Sequence, residues 1–180
     1  MILEITQYGN PILRKKCNKV TEVTDELKQF GEDLIETMVS AEGVGLAAPQ
    51  VDRDLQMAVV DVSHDPACIS YLRIDGEEAS LDDVMPLVFF NPALEFGSEK
   101  ESATEGCLSI DGINAEVKRP AEVKATLQLL DGRTVVVETD GLLSRAIQHE
   151  VDHLNGVLFV DRLSTAKKVS IRGKLKRLKF

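Results

Sequence analysis

The 180-residue sequence predicts an α+β fold, antiparallel strands with a few helices packed on them. Three observations carry that reading. Apolar residues recur at helical spacing in only a few segments, near residues 24–40, 140–156 and 162–178. Between these lie short runs rich in Val, Ile, Phe and Thr, bounded by turn residues. Asp131-Gly132 separates two of those runs, a tight-hairpin signal that makes its neighbours antiparallel.

Each element follows from local chemistry. Thr24-Asp25-Glu26-Leu27 opens the first helix, with a capping Thr and then acids that oppose the helix dipole. Leu27, Phe30, Leu34 and Met38 give it one apolar face to about Ser40, where the glycine-rich stretch 43–50 stops it. Residues 56–62 and 86–92 are expected strands, and the polar segment 63–85 between them reads as a long loop or small excursion. Residues 93–102, 122–130 and 133–139 are further expected strands. A second helix opens near Asp140 and closes at Asn155-Gly156, residue types suited to a left-handed cap. Residues 162–178 read as a last helix with a partial stripe of Val169, Leu175 and Leu178.

Composition narrows the class. At 43% hydrophobic and 28% charged residues, the chain can bury an ordinary core and need not be disordered. Aromatics are only 4%, with no Trp, so that core must be Leu, Val, Ile and Ala. No apolar run approaches the ~18 residues of a membrane span. The N-terminus lacks a basic start followed by an apolar stretch, so no membrane partner and a cytoplasmic location are expected. Cys17, Cys68 and Cys107 are odd in number and far apart, which is not a disulfide framework. The formal net charge is −9, but it is uneven: residues 162–180 hold eight Lys or Arg and no acid. The acidic remainder argues against a DNA-binding surface.

The sharpest motif is Gln148-His149-Glu150-Val151-Asp152-His153. On a helix, His149 and His153 stack one turn apart, so one metal ion can accept both imidazoles. Glu150 beside them can point at a water on that ion. His64, in the polar segment, reads as an ordinary exposed histidine. A four-coordinate ion with one open place needs a third protein ligand, which His, Glu, Asp or Cys could supply. Glu105-Gly106-Cys107-Leu108-Ser109 offers a thiolate after a Gly, suited to zinc or ferrous iron. Taken alone, a cysteine such as Cys107 is more often a buried structural thiol than a ligand, and that is the role expected of Cys17 and Cys68.

These residues resemble the peptide deformylase family. The resemblance rests on Gly43-Val44-Gly45-Leu46-Ala47-Ala48-Pro49-Gln50, then Glu105-Gly106-Cys107-Leu108-Ser109, then Gln148-His149-Glu150-Val151-Asp152-His153-Leu154, in that order. It extends to the opening Tyr8-Gly9-Asn10-Pro11-Ile12-Leu13 and so covers nearly the whole chain, residues 1–180, as one catalytic domain with a basic extension at 162–180. It implies antiparallel sheets packed around a central helix carrying the His-Glu-x-x-His motif, with an N-terminal and a C-terminal helix. It implies that Cys107, His149 and His153 hold a divalent ion, Fe2+ by family habit with Zn2+ or Ni2+ as substitutes. Glu150 would be the general base. The amide of Gln50 and the backbone N–H of Leu108 would stabilise the oxyanion, and Gly45 would let the substrate backbone approach. The reaction implied is removal of formate from the formyl-methionine of nascent peptides. The basic extension has two readings, a solvated helix face that offsets the acidic body or, as the resemblance implies, a docking element for the ribosome.

Two departures from the family pattern concern the substrate. Asp111 stands where Pro is common, and Asn114 where Arg is common. Two other readings share some residues. A zinc endopeptidase would use the same helix motif, but Gln50 and Cys107 argue against it. A catalytically inactive peptide-binding relative would be expected to carry a broken motif, and here every motif residue is present.

Overall fold

The computed structural model describes residues 1–178. Its elements run α1 (Asp25–Ser40), β1 (Gly45–Ala47), β2 (Met57–Val60), β3 (Leu72–Ile74), β4 (Glu77–Glu78), α2 (Leu81–Val84), β5 (Leu87–Phe96), β6 (Lys100–Cys107), β7 (Ile110–Pro120), β8 (Val123–Gln128), β9 (Thr134–Thr139), α3 (Gly141–Leu154) and α4 (Thr165–Arg177). Among the described residues, seven strands form an antiparallel sheet in the order β1-β2-β5-β8-β9-β3-β4, and β6 pairs with β7 as a separate ribbon. Helix α3 lies between the sheet and the ribbon, the α+β arrangement expected.

The first helix forms as its sequence dictates. The Thr24 hydroxyl accepts the N–H of Leu27 at 3.1 Å, and Asp25 and Glu26 fill the first turn. The stripe Leu27, Phe30, Leu34 and Met38 is buried against Leu46, Met57, Val59 and Phe90 of the sheet. The other face of the sheet packs on α3: Leu143, Ile147, Val151 and Leu154 meet Phe89, Leu127 and Val137. Each such buried side chain stabilises the fold by ~1.5–3 kcal/mol. Asp131-Gly132 makes the expected hairpin, with Gly132 at φ 90° and Leu129 N–H bonded to Arg133 O at 2.9 Å. Gly156, at φ 74°, closes α3 as its residue type suggested.

Five expectations change. The stretch 43–50 does more than end α1, because Gly45–Ala47 pairs with Val60–Ala58 as an edge strand. Segment 63–85 is not a bare loop: Asp75 and Gly76, at φ 52° and 83°, form a left-handed two-residue turn between β3 and β4, and β3 joins the sheet at β9. The two strands expected at 86–92 and 93–102 are mostly one, β5, with a register shift at Asn91-Pro92 where Asn91 sits at φ 47° and its side chain ties down Val20. The ribbon β6–β7 was expected only in its first residues. In α4 the buried residue is Ile171, whereas Val169 is 57% exposed, and only Leu175 and Leu178 of the expected stripe pack. Lys179 and Phe180, the end of the basic extension, lie outside the described residues.

Candidate active site

Three elements bring the polar residues together. Helix α3 presents His149 and His153 one turn apart, their ring centroids 5.0 Å apart. The end of β6 brings Cys107 to them. Cys107 Sγ lies 3.4 Å from His153 Nε2, and the two Nε2 atoms lie 3.3 Å apart. An ion about 2.3 Å from sulfur and about 2.1 Å from nitrogen in tetrahedral geometry needs ligand atoms roughly 3.3–3.6 Å apart, so this donor set fits one. Among the described residues these three form the one His/Cys/Asp/Glu group close enough to share an ion.

The charges favour the same occupant. His149 is largely buried, and burial alone would lower its pKa. Its bonds to Cys107 and to Glu105 outweigh that and push it up to about 10. His153 moves the opposite way, held well below its ordinary value by burial and then by its neighbour His149. A thiol, a carboxylate and two edge-to-face rings so close together suit a cation among them.

Glu105 orients the first ring. It precedes Cys107 by two residues on the same strand and receives His149 Nδ1 at 2.9 Å. Such a bond fixes the tautomer that leaves Nε2 free. Glu105 is itself held by Arg119, at 2.6 and 2.9 Å, and by Arg145 at 2.7 Å. Burial would raise its carboxyl, yet the bonds to Arg119 and then His149 hold it well below the usual carboxylate range. Arg119 continues to Asp152 at 2.8 Å, and Asp152 receives Arg162 at 2.6 Å through both oxygens. Phe159 stacks on His149, centroids 6.1 Å apart.

The remaining expected residues line the same 510 Å³ cleft. Glu150 is buried, with Oε2 lacking a hydrogen-bond partner. Its pKa is raised to about 7, chiefly by burial. Gln50 is fixed by accepting Ala47 N–H at 3.0 Å, so its NH2 points to Ser109 Oγ at 3.1 Å and Cys107 Sγ at 3.5 Å. Leu108 occupies the two-residue turn between Cys107 and its partner Ile110. Gly45 has a nearer reason than substrate approach: a Cβ there would stand 2.4 Å from Glu150 Oε1. Gly106 likewise clears space for Asn114, whose Oδ1 would lie 2.3 Å from an added Cβ. Asp111, Gly112 and Asn114 bulge from β7 at the cleft mouth, so both departures border the cleft. Cys17 is buried, Cys68 partly buried and His64 exposed, all outside the ligand group.

Sequence reasoning did not assign roles to Glu105, Arg119, Arg145, Asp152 or Arg162. Two of them stood inside the quoted motifs, Glu105 two residues before Cys107 and Asp152 between the histidines. The available signal was the strand's two-residue period, which turns Glu105 and Cys107 to one face.

Comparison with known proteins places this geometry. The family model for polypeptide deformylase matches residues 2–169. The peptide deformylase of Methylacidiphilum infernorum is 45% identical over 179 residues, 99% of this chain and 94% of that one. A crystal structure of a peptide deformylase from Synechococcus elongatus in complex with actinonin superposes with a TM-score of 0.81 at 36% identity, covering 99% of this chain and 86% of that one. The peptide deformylase from Thermotoga maritima gives 0.78 at 38% identity, covering 91% and 99%.

Proposed function

The chain belongs to the polypeptide deformylase family, and we propose that Cys107, His149 and His153 are its metal ligands and Glu150, Gln50, Leu108 and Gly45 its catalytic surroundings. It is a metal-dependent hydrolase that removes the formyl group from nascent peptides. The observation that carries the residue assignment is the convergence of three soft donors at 3.3–3.4 Å beside a buried carboxylate with one oxygen unpartnered.

When bound, a divalent ion polarises a carbonyl and lowers the pKa of a water from ~15.7 toward ~7. The chain's own groups do the rest. Glu150 takes a proton from the attacking water and returns it to the leaving amine. The Gln50 amide and the Leu108 N–H donate to the formyl oxygen as it gains charge, and loss of one such donor costs ~2.7–4 kcal/mol of barrier. The ion in the cell is ferrous iron in this reading by family habit, because a Cys and two His suit iron, zinc and nickel alike. The chain acts as one catalytic unit in the cytoplasm, and its substrate begins with formyl-methionine. The exposed cations of α4, Lys174, Lys176 and Arg177, dock it on ribosomal RNA. Among the described residues no helix is long and apolar enough to cross a membrane.

The test is formate release from a formyl-Met peptide by ferrous-loaded protein prepared without oxygen. Glu150→Ala should keep its metal and lose nearly all turnover, and normal turnover would remove Glu150 from its role. Gly45→Ala should displace Glu150 and cut kcat roughly a hundredfold while the unfolding midpoint barely moves.

A further inference from the structure

Behind α3, on the side away from the catalytic cleft, lies a second hollow of 460 Å³. Its cations are Lys100, Lys118, Arg119 and Arg162, and its one acid is Asp152, already bonded to both arginines. Its apolar wall is Pro92, Leu94 and Phe96, and Phe96 is 55% exposed. On the ribbon, Lys100 faces Pro120 and Ser102 faces Lys118, so the two lysines are diagonal neighbours on one face, with Glu116 the next residue along it. Neither lysine enters an ion pair among the described residues. Phe96 also borders a separate hollow holding Glu95, Glu122, Glu138 and Lys124, so acids gather on one side of the ring and cations on the other.

In a chain of net charge −9, two exposed lysines on one face with no ion-pair partner among the described residues make a local positive patch that suits an anion. A ring beside them offers a stacking surface for a planar group. We propose that this hollow binds single-stranded RNA, with Lys100 and Lys118 on the phosphodiester backbone and Phe96 against a base. Arg162 links it to the root of the basic C-terminal helix, so the two surfaces are continuous. The site needs neither deformylation nor the α4 cations, and its test separates it from both.

The full-length protein is titrated against a fluorescein-labelled oligouridylate about twelve nucleotides long, followed by anisotropy at several salt concentrations. Lys100→Glu/Lys118→Glu should weaken binding by roughly tenfold or more and reduce the slope of log K against log salt by about 1.4. Phe96→Ala should weaken it roughly fivefold or more. Lys28→Glu/Arg53→Glu, the same charge change on the α1 side of the sheet, should leave affinity within about twofold. All of these variants should hydrolyse a formyl-Met peptide at the parent rate, which reports folding. The proposal fails if the parent protein does not bind the oligomer, or if both double variants lose affinity equally. It also fails if neutralising Lys174, Lys176 and Arg177 abolishes binding while the pocket variants bind normally. Displacement of the oligomer by polyglutamate or by free UMP at equal phosphate or carboxylate concentration would assign the hollow to another ligand.

Discussion

Two populations of ion pairs use the same side-chain types and do different work. Beneath the cleft, Glu105, Arg119, Arg145 and Asp152 are buried, with Arg119 only 2% exposed. On the surface, Arg133 with Asp131 and Lys15 with Asp54 are bonded just as directly, but Arg133, Asp131 and Lys15 are at least half exposed. In the buried set each charge has lost its hydration and depends wholly on its partners, so removing one strands the rest. In the surface set water replaces a lost partner at once. Geometry alone therefore does not rank a salt bridge; its solvent does. The buried set also terminates on His149, so its integrity bears on the proposed metal site.

The largest break in this contrast should come from Glu105→Gln. It leaves Arg119 and Arg145 buried with less negative charge and weakens the orientation of His149. Stability should fall by ~3–5 kcal/mol, read as a lower urea midpoint. Affinity for the ion should fall roughly 10–100-fold in a chelator competition. A variant with parent stability and parent metal affinity would show that the buried network carries no more weight than a surface pair.

Arg119→Lys sharpens the point, because it keeps the charge and removes the planar fork that grips Glu105 twice and Asp152 once. A loss of ~1.5–3 kcal/mol is expected, smaller than for Glu105→Gln. If charge alone mattered, this substitution would be silent in the same urea titration.

The network also marks where the sequence stops being readable. Helix α1, the Asp131-Gly132 hairpin and the His149–His153 pair were legible because each is specified within a few residues, by a cap, a turn dipeptide or a helical period. The ribbon was not. Strand β6 reads Lys-Glu-Ser-Ala-Thr-Glu-Gly-Cys, with no apolar alternation, since much of it faces solvent. Strand β7 does alternate, with Ile113, Ala115, Val117 and Arg119 turned inward, but a charge at an inward position breaks the pattern a strand reading depends on. Arg119 belongs inside only because Glu105, 14 residues away, and Asp152, 33 away, are there to meet it. Two of the proposed ligands followed from spacing and the third from the family resemblance, whereas the residues that hold them required the tertiary fold. The turn at Asp75-Gly76 was missed for a different reason: its flanking strands are only three and two residues long.

Arg162 stands between the two populations, 44% exposed at its side chain yet bonded twice to buried Asp152. Arg162→Ala should cost no more than ~1 kcal/mol, because Arg119 still neutralises Asp152 and water reaches the vacated side. Arg133→Ala, at the bottom of the series, should leave the urea midpoint unchanged. Adding salt should narrow the gap between Arg162→Ala and the parent but leave the Glu105→Gln deficit standing, since buried pairs are poorly screened. A salt-sensitive Glu105→Gln deficit would place that network in contact with solvent.

Cys17 lies outside the ion pairs, a buried thiol whose neighbouring cation, Lys15, is already bonded to Asp54. Burial pushes the thiol up to about 11, with the Asp54 carboxylate adding to the rise and Lys15 opposing it. The folded state thus keeps the proton to about 11, while an unfolded thiol gives it up near 9. The sign follows: this contribution to stability is whole below pH 9 and drains away as pH rises through 11, because the unfolded state then binds fewer protons. Iodoacetamide at pH 9, followed by peptide mapping, should label Cys17 roughly fifty-fold more slowly than a free cysteine, since only the thiolate reacts. Labelling at the free rate would mean that solvent reaches the sulfur, and the distinction between buried and exposed charge would no longer hold at this site.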